Sequence, residues 1–137
     1  MESKTGTFGR SRFSPHSPLP ITVFFAAPGH AAFVARGWRP PEPLSVRLAE
    51  LPNGGSIVYP KRTGHLPGLS GRLNPILGSI DRMYLYTANV AIDEGRPQPV
   101  RFRLGQPLRL TDVYGNERVV KFAETLGKLS LLEYLVA

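Results

Sequence analysis

The sequence predicts an all-β protein, a β-sandwich or small barrel closed by a short C-terminal helix. Three observations carry this. Apolar and polar residues alternate through Leu44-Ser45-Val46-Arg47-Leu48 and through Val100-Arg101-Phe102-Arg103-Leu104, the period of half-buried strands. Turn-forming clusters recur about every ten residues between such runs, which is the spacing of short antiparallel strands. Finally, 14 glycines and 14 prolines in 137 residues suit a loop-rich β fold better than a helical one. A chain of this length fits one domain with a modest core.

Residues 1–20 are rich in Ser, Pro, Gly and Arg, and bury too little apolar surface to offset the entropy of ordering. They read as a flexible N-terminal arm ahead of a sandwich domain over residues 21–125. Ile21 to Ala27, β-branched and aromatic, is a buried strand closed by Pro28-Gly29. His30 to Arg36 is a second strand, leading into a rigid corner at Gly37-Trp38-Arg39-Pro40-Pro41, where two prolines remove donors. Trp38, the only tryptophan, is expected to pack over the core at that corner. Leu44 to Leu51 is the third strand. Pro52-Asn53-Gly54-Gly55 then reads as a tight turn, with Ser56 to Tyr59 as the hairpin partner.

From Pro60 to Ile80 the chain is irregular, and a loop of that length in a small domain is usually functional or a docking element. Asp81 to Ile92 returns to strand character, and Asp93-Glu94-Gly95 makes a turn. Strands follow at Val100 to Leu104 and Leu108 to Leu110. Tyr114-Gly115-Asn116 turns the chain into Arg118 to Ala123, with Asp112 bracing the turn through its side chain. In the tail, Leu126, Leu129, Leu132 and Val136 stand near helical spacing, so residues 126–137 read as a docking helix, with a strand as the alternative.

Two stretches carry a resemblance. Gly37 to Gly54, GWRPPEPLSVRLAELPNG, is similar to the Gly-aromatic, Glu-Pro and alternating-strand signature of bacterial immunoglobulin-like modules. Leu108 to Phe122, LRLTDVYGNERVVKF, resembles the Thr-Asp-x-x-Gly-Asn hairpin late in such modules. The resemblance implies an immunoglobulin-like sandwich and carries no site residue with it.

Little in the chain points to a reaction. The absence of cysteine excludes disulfides, thiolate metal sites and a cysteine nucleophile. His16, His30 and His65 lack the spacing and company of metal ligands. Asp81, Asp93 and Glu94 read as strand-start and turn residues rather than an acid–base pair. The glycines from Gly64 to Gly71 lack the Lys-Ser/Thr of a phosphate loop, and Ser70 and Ser79 lack the nucleophile elbow. No catalytic, cofactor-binding or metal-binding residue is therefore assigned, and the expectation is a protein that is not an enzyme.

The binding candidates come from charge and from the tail. Net charge is +7, and arginine supplies 13 of the 17 basic residues, which suits an anionic partner. Arg47, Arg101, Arg103 and Arg109 alternate with core-facing residues and would form a basic stripe if their strands share a sheet. Leu129, Leu132 and Tyr134 are the partner-binding candidates of the tail, which would cap the open end of the sandwich or reach across to a neighbouring subunit. The reading is a structural module of a large assembly, such as a decoration, tail or adaptor protein of a phage or virus particle, with protein partners and self-association. Its alternative is a nucleic-acid-binding accessory domain that uses the arginines. No apolar run approaches membrane-spanning length and residues 1–12 are too polar for a signal peptide, so the expected location is a virion or the cytoplasm.

Overall fold

The computed structural model describes residues 19–79 and 82–136. The expected arm falls outside the described residues except for Leu19 and Pro20. The described chain is all-β, as the alternating patterns require. Its strands are β1 (Ile21–Phe25), β2 (Pro28–His30), β3 (Phe33–Trp38), β4 (Glu50–Tyr59), β5 (Arg72–Leu77) and β6 (Met83–Ala88). They continue as β7 (Val90–Ile92), β8 (Val100–Phe102), β9 (Leu108–Asp112), β10 (Glu117–Leu126) and β11 (Leu129–Val136).

Every pairing is antiparallel. A six-stranded sheet has the order β2-β4-β11-β10-β9-β7, a three-stranded sheet β5-β6-β8, and β1 and β3 form a separate pair. The two larger sheets face each other across one core. Leu73, Met83, Leu85, Val100 and Phe102 enter it from the three-stranded sheet; Ile92, Leu108, Leu110, Val120, Phe122 and Leu132 enter from the other. The rings of Phe102 and Phe122 stack between the sheets with centroids 4.5 Å apart. Leu66 and Leu69 drop into the same core, so the segment from Pro60 to Gly71 is a packed lid rather than a free docking loop.

The β1–β3 pair forms a third layer on the outer face of the six-stranded sheet. Leu131 and Glu133 point away from the core that Leu132 joins, because side chains alternate along β11. On that outer face the Ala32 N–H donates to Glu133 Oε2 at 2.8 Å, and Arg36 pairs with Glu124. Leu131 is nonetheless fully buried, Val23 and Phe24 of β1 are largely buried, and none of the three belongs to the sandwich core. Ser56 Oγ of β4 also accepts the Ala27 N–H at 3.0 Å, tying the chain after β1 to the six-stranded sheet.

Five expectations are corrected. The tail is strand β11, the partner of both β4 and β10, and not a helix over 126–137. A strand covered on both faces is apolar at consecutive positions, as at Leu131-Leu132, and its leucines then match helical spacing by accident. Residues 44–49 carry no strand, and the ladder begins at Glu50. Asn53-Gly54-Gly55 lies inside β4 instead of turning it; Asn53, at a φ of 64°, sits where the register with β2 slips. The run from Asp81 to Ile92 is divided at Asn89, also at a φ of 64°, which sends β7 from one sheet to the other. Trp38 is half-buried outside the core, its indole N–H donating to the Glu42 carbonyl at 2.8 Å.

Candidate functional site

The ladder between β2 and β4 brings together residues twenty apart in the chain. His30 ends β2 and Glu50 begins β4, and the two are partners in register. The coil preceding β4 is drawn alongside by a bond from the Ala31 N–H to the Ala49 carbonyl at 2.8 Å. The result is an open groove of about 560 Å³ lined by His30, Arg47, Leu48, Ala49 and Glu50. Its volume falls in the range of about 300–1,000 Å³ that holds small ligands.

The groove's polar groups have defined roles. His30 Nδ1 lies 2.9 Å from the Pro28 carbonyl. A carbonyl only accepts, so Nδ1 carries the proton in this bond. Glu50 supplies two acceptor oxygens and Arg47 a planar set of donors, both at exposed positions. Leu48 and Ala49 furnish the apolar wall.

Other carboxylates are committed elsewhere. Asp112, only 5% exposed, accepts from the N–H groups of Ser70, Tyr114 and Asn116 and from the Asn116 side chain, at 2.8–3.0 Å. Burial pushes its carboxyl up, but these donors outweigh it and hold the group at about 2. This bears out the expected bracing of the Tyr114-Gly115-Asn116 turn, and adds a tether to the Pro60–Gly71 segment. Asp93 accepts the Arg109 N–H at 3.0 Å, Glu124 pairs with Arg36, and Glu133 holds the third layer. Among the described residues no group of three or more His, Asp or Glu could hold a metal ion.

The structure does not gather the predicted site residues. Arg109 is on β9 in the six-stranded sheet and pairs with Glu117 at 2.8 Å. Arg101 is on β8 in the three-stranded sheet, and Arg103 follows it, its N–H bonded to Gln106 Oε1. Arg47 stands in the groove. These arginines therefore form no single stripe. Leu132 and Tyr134 are buried in the core and Leu129 is half-buried in the sheet, so these three pack within the chain.

No family model matches the chain, and no solved structure matches it. Among curated proteins it is similar to the 3′ cyclic ADP-D-ribose synthase AaTIR of Aquimarina amphilecti, with 29% identity over 134 residues. The match takes in 98% of this chain and 41% of that protein, so the chain spans well under half the length of its relative. A synthase as relative overturns the expectation of a non-enzymatic structural protein of a virus or phage particle. The alternative, a nucleic-acid-binding accessory domain, rested on a shared arginine stripe, and Arg101 and Arg109 lie in different sheets.

Sequence reasoning found Arg47 but passed over His30 and Glu50 as site residues. Their meeting depends on the β2–β4 pairing, a non-local contact that leaves no local motif.

Proposed function

We propose that this chain is a β-module of an enzyme of nucleotide signalling, working in the synthesis of a cyclic ADP-ribose. The carrying observation is the extent of the likeness: 29% identity runs across 98% of the chain rather than across one motif. The groove supports the reading. A ligand of this class carries ribose hydroxyls, a diphosphate and an adenine, and the groove offers acceptors, a guanidinium and an apolar wall to the three respectively.

The experiment is a domain exchange. All 137 residues of this chain replace the matched region of the Aquimarina enzyme, and cyclic ADP-ribose formation is followed by mass spectrometry. Product formed by the chimera supports the reading. A chimera that folds, as judged by a cooperative melt, but makes no product overturns it.

A further inference from the structure

The outer face of the three-stranded sheet exposes Ile76 and Tyr86, and the tip of the β9–β10 turn exposes Val113 and Tyr114. Nothing in the structure shows what covers either. The His30–Arg47–Glu50 groove differs, because it brings groups of both charges and an apolar wall into one concavity.

We infer that this groove is a ribonucleotide-binding site, taking the phosphate on Arg47 and a ribose diol on Glu50. The inference rests on the proposed function for the identity of the nucleotide, ADP-ribose, and on the groove itself for its class. A free phosphate would meet Arg47 favourably but Glu50 unfavourably, since a carboxylate repels an anion held a few ångströms away. A neutral sugar would satisfy Glu50 and leave the guanidinium without a matching acceptor. A ligand that brings vicinal hydroxyls and a phosphate on one skeleton satisfies both, and among such ligands the proposed function selects a ribonucleotide. Carboxylates bind ribose hydroxyls in this way in nucleotide sites of other folds, and arginine forks match phosphate oxygens. His30 adds a flat ring beside the apolar wall of Leu48 and Ala49.

The site is also pre-positioned. His30 and Glu50 are registered partners in a ladder, and the Ala31–Ala49 bond fixes the coil that carries Arg47. Little backbone ordering is left for the ligand to impose, which favours binding.

Calorimetric titration of the full chain with ADP-ribose and with inorganic pyrophosphate tests this, using Arg47→Ala and Glu50→Ala. Both residues are exposed, and an unchanged melt verifies that each variant folds. ADP-ribose should bind saturably. Arg47→Ala should weaken it about tenfold or more, the worth of a lost hydrogen bond to a charged group. Glu50→Ala should weaken ADP-ribose while leaving pyrophosphate binding unchanged or tighter, because it removes a diol acceptor and a repulsive charge together. Absence of saturable ADP-ribose binding overturns the inference, as does binding indifferent to both variants. So does an ADP-ribose affinity no greater than that of pyrophosphate and insensitive to Glu50. The outcome is separable from that of the domain exchange. An active chimera with a silent groove leaves the function standing without the site; a binding groove in an inactive chimera does the reverse.

Discussion

Gly54 lies directly beneath the main-chain carbonyl oxygen of Tyr134, so close that a Cβ at position 54 would collide with it. Gly55, its neighbour, lies under the Tyr134 hydroxyl, 2.8 Å from where its own Cβ would stand. These glycines let β4 approach β11 while β2 pairs on the other side. Backbone at that distance cannot move aside as a flexible side chain would. Gly54→Ala should therefore cost about 2–3 kcal/mol, the upper part of the range for overpacking, read as a lower urea midpoint. An unchanged midpoint would mean that the two strands lie farther apart than described.

The same pair of glycines shows where the sequence was and was not legible. Asn-Gly-Gly is a strong local turn signal, and local signals cannot distinguish a reversal from a bulge that admits a neighbouring backbone. The strands read correctly were those with one face buried. Val100 and Phe102, and Leu108 and Leu110, enter the core while Arg101 and Arg109 stay outside. β11 was missed because the β1–β3 layer covers its second face, which erases alternation at Leu131-Leu132. The candidate site was legible only in Arg47; His30 and Glu50 join it through pairing that no local pattern announces.

Asp112 gives a pH signature. Its carboxyl is held at about 2, against an ordinary value of 3.8, so the folded state binds its proton less readily than the unfolded state. The stabilisation is thus complete above about pH 4 and is lost as pH falls from there through about 2. Urea midpoints for the wild type should drop between pH 5 and pH 2.5 more than those of Asp112→Asn, which lacks the titrating group. At pH 5 the variant should also show faster amide exchange at Ser70 and Asn116, the two segments this side chain joins. Parallel pH profiles for the two proteins would remove Asp112 from this role.

The third layer separates two kinds of polar contact. Arg36 is well exposed, so its ion pair with Glu124 is screened by water, and Arg36→Ala should cost less than about 1 kcal/mol. Glu133 instead accepts the part-buried Ala32 N–H, and Glu133→Ala would leave that donor unsatisfied beside the sheet. Such a loss costs about 1–3 kcal/mol. It should also release β1 and β3 to limited proteolysis before the sandwich itself unfolds. Equal costs for the two variants would show that the layer is held by apolar contact alone.

Tyr59 and Ser130 face each other across β4 and β11, and each carries a buried hydroxyl with no hydrogen-bond partner. The Tyr59 ring is wedged against Gly64, where a Cβ would stand 2.5 Å from ring carbons. Burial pushes its phenol well above the usual tyrosine range, so the group stays neutral throughout ordinary pH. An unpartnered buried hydroxyl stabilises nothing and has given up its bonds to water. Tyr59→Phe keeps the ring and its packing while removing that loss, and should raise stability by about 1 kcal/mol. Ser130→Ala should act in the same direction, and the double variant should be additive if the two hydroxyls are independent. Thermal melts of the three variants decide the matter. A fall in stability for Tyr59→Phe would show that the hydroxyl has a bonding partner in solution; a double variant that departs from the sum of the two single ones would show that the two share it.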